Sequence, residues 1–259
     1  MIDIADPAID YSVADYVRDA DAAIAAIRAQ GRVPIVAGGT GMYLRGLLKG
    51  IVPAAPRDAG VRARWRDLIE RFGALRAHRL LARLDPPTAM RIPPRDTQRL
   101  VRALELAWPP GETWSARLAR SGTWERKEER YPAMKFGLDM DRHALAERLA
   151  ARVDAFYGAD LPGEVRRLLD AGLPPSANAF KGIGYREVLR ALEEGRNPAE
   201  AKDAIVAATR RYAKRQRTWY RKEPGILWLD AGAGVVALGA RIAADWSASA
   251  SSGSAIPAC

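Results

Sequence analysis

The stretch Val33-Pro34-Ile35-Val36-Ala37-Gly38-Gly39-Thr40-Gly41-Met42-Tyr43 decides the fold class of this 259-residue chain. Its first five residues are apolar throughout, which reads as a short strand buried on both faces, as in a parallel sheet. Glycines around a single threonine follow, and then a helical pattern that closes near Gly50. A turn of this kind can set backbone N–H groups, a helix N-terminus and a hydroxyl against a polar ligand. The glycines remove the Cβ atoms that would block close approach. Thr40 is the candidate ligand-facing group, because α/β folds bind ligands at the carboxyl ends of their strands. The same threonine can also serve as the cap of the helix that follows.

On the amino side, Ser12-Val13-Ala14-Asp15 is a capping box that opens a helix. Val13, Tyr16, Val17, Ala20, Ile24 and Ile27 keep one apolar face at helical spacing, and Gly31 ends the helix. Helix, strand and helix in this order are half of a parallel α/β unit. On the carboxyl side, Pro53 to Asp58 reads as a linker. From Val61 to about Trp124 the pattern is helical, holds Trp65, Trp108, Trp114 and Trp124, and is broken at Pro109-Pro110-Gly111. Met134–Met140 alternates apolar and polar residues and predicts a strand returning to the sheet. Asp141 caps a helix running to Phe156. A second helix covers Gly163–Ala171, a loop runs from Gly172 to Phe180, and Ala199–Lys222 is a long basic helix. Ile226–Leu229 is a last strand, and Ser247–Cys259 is Ser/Ala-rich and expected to be disordered. The division expected is an α/β core of residues 1–58 and 129–235, a helical insertion of residues 59–128, and a tail of residues 236–259.

The chain can bury a real core in one or two domains. It has no run of about 18 apolar residues, and its acidic N-terminus lacks the basic start of a secretory signal. The one cysteine is Cys259, which excludes internal disulfides and cysteine-based metal sites and fits a cytoplasmic location. The net charge of +10 points to a polyanionic partner, although an Ala/Arg-rich text can also reflect coding bias.

Several groups carry candidate chemistry. Asp96 reads as an N-cap that sets Gln98, Arg99 and Arg102 in the first turns of a helix. Glutamine and arginine hydrogen-bond the edges of unstacked loop bases, which is how single-stranded RNA is read. Lys181-Gly182-Ile183-Gly184-Tyr185-Arg186-Glu187 is a Gly-x-Gly turn with flanking cations that can follow a nucleic-acid backbone, with Tyr185 either stacking on a base or packing in the core. Arg148 and Arg152 lie one helical turn apart and share a face. Their guanidinium forks match phosphate geometry, or they pair with Glu147 and Asp154 on a wet surface. Arg62 and Arg64 open the insertion's first helix, where arginine suits a phosphate contact or a solvated face. Thr209-Arg210-Arg211-Tyr212-Ala213-Lys214-Arg215-Gln216 starts an amphipathic stretch with a very basic outer side. His78 and His143 are isolated, and no metal site is suggested. Asp139 and Asp141 read as a strand-end and a cap residue.

Taken in order, the GGTG turn, Gln98-Arg99, the Lys181–Glu187 segment and the Thr209–Gln216 segment resemble the tRNA dimethylallyltransferases (tRNA isopentenyltransferases) from about Ile2 to Asp230. The resemblance implies a P-loop-NTPase-like parallel sheet with a helical tRNA-binding insertion. It implies transfer of a dimethylallyl group from its diphosphate to N6 of the adenosine 3′ of the anticodon, position 37, with Mg²⁺ as cofactor. It places Thr40 against the target adenine's amino group and assigns Arg62, Gln98, Arg99, Arg102 and Lys181–Glu187 to tRNA. Arg148 and Arg152 match an R-x-x-x-R that faces the diphosphate channel. Two departures stand out: Pro93-Pro94-Arg95-Asp96-Thr97 replaces the family's His-Pro-Asn-Asp-Pro before Gln98-Arg99, and Gly182 stands where alanine is common. The sequence contains neither G-x-x-x-x-G-K-[ST] nor the family's Asp-Ser-x-Gln text. The resemblance therefore implies a chain short of the family's N-terminal portion, with its first strand and P-loop missing and weak or no activity. The partners expected are the tRNA anticodon stem-loop and dimethylallyl diphosphate, with no membrane, and the protein itself as a monomer. The alternatives are a non-catalytic basic RNA-binding module and an adenylate isopentenyltransferase acting on free nucleotide.

Overall fold

The computed structural model describes residues 1–52, 58–108, 111–121 and 128–251. In chain order the elements begin with helices α1 (Val13–Ala29), α2 (Gly41–Lys49), α3 (Ala59–Phe72), α4 (Ala74–Leu84), α5 (Pro86–Arg91), α6 (Thr97–Ala107) and α7 (Trp114–Ser121). Strand β1 (Lys135–Asp139) follows, then α8 (Arg142–Gly158), α9 (Leu161–Asp170), α10 (Tyr185–Glu193) and α11 (Lys202–Tyr220). Strand β2 (Ile226–Asp230) and α12 (Val235–Ser251) complete the order. The chain divides into two compact units, residues 1–48 with 131–259, and residues 49–130.

In the first unit, β1 and β2 pair in parallel, in a register that sets Lys135 beside Ile226 and Asp139 beside Asp230. The connection between them contains α8 through α11, the helical crossover that a parallel pair requires. Both strands therefore end on the same edge. Gly137 admits the neighbouring strand's side chains: a Cβ there would lie 2.8 Å from Ile226 and from the Trp228 ring. The main core lies among the helices, not against the sheet. Val153 of α8, Leu161 and Val165 of α9, Val188 of α10 and Ile205 of α11 close around Phe180. Each turns an apolar stripe inward, which is what stabilises helices of this length in water.

The first helix forms as its sequence directs. Ser12 and Asp15 make the reciprocal capping box, Val17, Ala20 and Ile24 are buried, and Gly31 takes a positive φ of 67° just past the end. The stretch 33–37 does not follow the reading. It forms no strand, and Ile35 is 88 % exposed. A strand exists only as one side of a ladder, and among the described residues β1 and β2 pair only with each other. Pro34 also lacks a backbone donor.

Among its described residues the second unit has helices as its only regular elements. Trp65, Ile69, Leu81, Leu100 and Leu104 form its core. Trp65 meets Trp108 edge to face at 5.4 Å. Asp85 is fully buried: it caps α5 through Thr88 and also accepts the Ser115 N–H at 3.0 Å. His78 Nε2 lies 3.0 Å from the carbonyls of Ala89 and Ile92, which makes it a structural tie. Most of the expected linker (residues 53–57), Pro109-Pro110 and Trp124 lie outside the described residues. At the C-terminus, residues 247–251 continue α12 where disorder was expected, and residues 252–259 lie outside the described part. Alanine there is a strong helix former, which outweighs the interspersed serines.

Candidate functional site

In the first unit the glycine turn is built by α11. Gln216 donates from Nε2 to the Gly39 carbonyl at 2.9 Å. A Cβ on Gly39 would fall 2.0 Å from that nitrogen, and one on Gly41 would fall 2.3–2.6 Å from the Trp219 indole. The glycines at 39 and 41 thus admit a helix, whereas the sequence reading assigned them to a ligand. A Cβ on Gly38 would meet nothing within 4 Å. Thr40 opens α2 with its carbonyl, which accepts from Tyr43 N at 2.9 Å. Its exposed hydroxyl makes no hydrogen bond among the described residues, so it is not spent as a cap.

Arg148 and Arg152 are exposed on α8 and pair with no carboxylate among the described residues. Glu147 pairs with His143 and Asp154 with Lys202, so the surface pairing considered for these arginines does not occur. Arg152 lies over the Phe156 ring at 5.4 Å. Both guanidinium groups are open to an anion.

In the Lys181–Glu187 segment, Gly184 adopts φ 101°, and its N–H donates to Glu187 Oε2 at 2.8 Å, capping α10. Tyr185 is half-buried against the core and donates its hydroxyl to Glu164 at 2.6 Å. Burial first, and that carboxylate second, push the phenol up to about 12. Packing, not free stacking, is therefore Tyr185's role in the structure. Ile183 also packs on the core, Gly182 is exposed, and Lys181 and Arg186 reach solvent while paired with Asn178 and Glu187.

Sequence reasoning missed a cleft of about 480 Å³ at the carboxyl edge of the sheet. Asp139 sits there between Arg221, at 2.7 Å, and Arg217, at 3.4 Å, and Arg221 lies over Trp228. Asp141 spends its carboxylate on the N–H groups of His143 and Ala144, as its cap role predicts, and that holds it below the usual carboxylate range. The signal was available: each strand ends in aspartate, at the edge where parallel sheets bind ligands. Among the described residues no three His, Cys, Asp or Glu side chains gather to hold a metal. With Asp139 held by two guanidiniums, Asp141 by a helix end and Asp230 accepting the Gly232 N–H, and the three not gathered around one point, the cleft does not fit Mg²⁺, which demands several free oxygen ligands.

In the second unit, Arg62 and Arg102 both reach Glu105 Oε2, at 2.9 and 2.8 Å, and Asp58 N–H donates to Oε1 at 2.8 Å. Glu105 is only 6 % exposed. Burial pushes its carboxyl up, but Arg102, the Asp58 amide and Arg62 together hold it below its ordinary value. These two arginines therefore brace α3 against α6. Asp96 caps α6 as expected, and Gln98 and Arg99 project into solvent, Arg99 3.3 Å from Asp96.

A parallel α/β unit carrying a helix-clamped glycine turn and open arginines, with a separate basic helical unit, is the class these parts define. The IPP transferase family model matches residues 1–223. A tRNA dimethylallyltransferase of Desulforudis audaxviator is 39% identical over 230 residues, which cover 89% of this chain and 73% of that protein. One from Geobacter sulfurreducens is 36% identical over the same share of each. The crystal structure of the full-length tRNA isopentenylpyrophosphate transferase of Bacillus halodurans is similar with a TM-score of 0.58 and 31% identity, over 88% of this chain and 70% of that one. A eukaryotic dimethylallyltransferase acting on tRNA shares the fold, with a TM-score of 0.72 at 22% identity over 98% of this chain and 66% of that one. The chain belongs to the IPP transferase family.

Proposed function

We propose that this chain transfers a dimethylallyl group from dimethylallyl diphosphate to N6 of the adenosine 3′ of the anticodon in tRNA, acting as a cytoplasmic monomer. The bond that forms joins N6 to the allylic carbon. The bond that breaks joins that carbon to diphosphate, and N6 gives up a proton. Charge gathers on the departing diphosphate, so cations placed there act on the transition state. The observation that carries the reading is the pair Arg148 and Arg152, one turn apart and open on α8. Thr40 offers its free hydroxyl to the adenine, Lys181–Glu187 follows the RNA backbone, and Gln98 and Arg99 read loop bases. Arg62 and Arg102, fixed on Glu105, position α3 and α6. Domain roles follow: residues 1–58 and 129–235 for chemistry, and 59–128 for RNA.

The 259 residues contain no phosphate-cradling G-x-x-x-x-G-K-[ST] text. Removing a single oxyanion donor costs about 10²–10³ in rate, and a polypeptide of these residues is expected to transfer at least that slowly. The test is transfer of labelled dimethylallyl to an anticodon stem-loop, with Thr40→Val alongside and RNA binding read by fluorescence anisotropy. Slow label on N6 that falls further in T40V supports the reading. Binding without label over hours leaves the non-catalytic RNA-binding module and refutes transfer; a stem-loop that neither binds nor takes label refutes both. Transfer to free adenylate but not to the stem-loop would identify the nucleotide-specific alternative.

A further inference from the structure

The charge is distributed unevenly. Residues 49–130 contain 18 Lys/Arg against 10 Asp/Glu, so +8 of the net +10 falls in the second unit. Within it, Arg62, Arg71, Arg99, Arg102, Arg117 and Arg120 each pair with a carboxylate. Arg64, Arg66, Arg91 and Arg95 are also exposed and unpaired among the described residues, but they are scattered over α3, α5 and a loop, whereas helix α4 gathers three such arginines on one face. Its text, Ala74-Leu75-Arg76-Ala77-His78-Arg79-Leu80-Leu81-Ala82-Arg83-Leu84, contains no acidic residue. Arg76, Arg79 and Arg83 are all exposed and have no partner among the described residues.

At 3.6 residues per turn the three fall within about 60° of one another, and they span about 10 Å along the axis. Leu81 is buried on the opposite side, with Ala77, Leu80 and Leu84 packed against the same core. His78 is tied to α5 and the residue just beyond it, so α4 is held in place from beneath. Like charges three and four residues apart destabilise a helix by about 0.2–0.5 kcal/mol per pair. Such a stripe, without a countercharge, is matched by a ligand that brings regularly spaced negative charge. Guanidinium forks suit phosphates, and a row of them suits a phosphate line.

We propose that Arg76, Arg79 and Arg83 of α4 form a phosphate-binding stripe for the sugar–phosphate backbone of RNA. The proposal rests on the reading of this chain as a tRNA-modifying enzyme and adds a contact surface to it. Because phosphates carry no base identity, the stripe supplies affinity and orientation, while Gln98 and Arg99 supply selection.

The test compares the 259-residue chain with R76Q/R79Q/R83Q, titrating a fluorescent anticodon stem-loop at several salt concentrations. Three lost phosphate contacts make the slope of log affinity against log salt shallower by about 2–3 and weaken binding about tenfold or more at low salt. The loss is the same for stem-loops with and without the target adenosine. R76K/R79K/R83K keeps the slope, since the charges remain. Glutamine is a good helix former and the like-charge repulsion is relieved, so the triple variant melts no lower than the parent. A parent chain that binds the stem-loop beside a triple variant of unchanged slope overturns the stripe and leaves the function standing. A parent chain indifferent to RNA overturns the function itself, and the stripe with it. A loss confined to stem-loops with the target base also overturns the stripe, because it would report base readout.

Discussion

Replacing Gly41 by alanine tests whether α11 or a ligand dictates the GGTG turn. The new Cβ would lie 2.3 Å from Trp219 Nε1 and 2.5–2.6 Å from two ring carbons. Those atoms belong to a rigid indole, not to the tip of a flexible chain, so either the ring or the start of α2 must move by about 1 Å to restore contact distance. Overpacking of this kind costs about 1–3 kcal/mol, and alanine's better helix propensity returns at most about 1. The net expectation is a loss of about 1–2 kcal/mol, or roughly 2–8 °C in melting temperature for a chain of this size. Two neighbours are internal controls. In Gly39→Ala the clash is with the mobile Gln216 amide, which can swing away at the expense of its hydrogen bond to Gly39, about 1 kcal/mol. Gly38→Ala meets nothing and stays within about 0.5 kcal/mol of the parent. Urea unfolding followed by tryptophan fluorescence and circular dichroism ranks the three. The packing argument predicts G41A below G39A below G38A, with Thr40 displaced in step, so that transfer falls more than RNA binding. Equal stability of G41A and G38A would refute it and return the glycines to a purely ligand-facing role.

Glu105→Gln removes the carboxylate that Arg62, Arg102 and the Asp58 amide share, with an expected loss of about 2–3 kcal/mol from the second unit, read by denaturant unfolding. Because the folded carboxyl lies below its unfolded value near 4.3, the parent holds this contribution above that pH and loses it as pH falls through the lower folded value. Asp85 is depressed in the same sense, so part of the acid sensitivity must remain in E105Q. An E105Q chain with the parent's stability at pH 7 would contradict the brace. Arg148→Ala and Arg152→Ala leave melting within about 0.5 kcal/mol, since neither side chain is paired, and raise KM for dimethylallyl diphosphate while the stem-loop binds as before. A change in RNA affinity with unchanged KM would move these arginines from diphosphate to RNA.

Where local chemistry is sufficient, the sequence reading and the structure coincide. Ser12 with Asp15, Asp96 with Arg99 and Asp141 with Ala144 are caps whose partners lie three residues away, and all three form. The strands at β1 and β2 were legible because apolar/polar alternation in the first and a short apolar run in the second are local patterns. Val33–Ala37 shows the limit. Its text is that of a buried strand, but burial and pairing depend on what lies beside it, and here no strand among the described residues pairs with it. The candidate site divides in the same way. Gln98, Arg99, Arg148 and Arg152 were found as residue types at the right spacing, and the structure leaves Gln98, Arg148 and Arg152 uncommitted, with Arg99 beside its own cap.

Other roles were assigned only in three dimensions. Glu105 lies 43 residues from Arg62, and no spacing rule joins them, yet that contact turns two candidate RNA arginines into a brace. Gln216 and Trp219 lie far along the chain from the turn they shape, and Asp139 lies 78 residues from Arg217. By itself the sequence determined the α/β class, the helix caps, the basic character and the family, since each is written in short-range pattern or residue identity. Only the tertiary structure decided which arginines are free to meet an anion, because charge neutralisation depends on distance in space, and folding brings together carboxylates and guanidiniums that the chain keeps far apart.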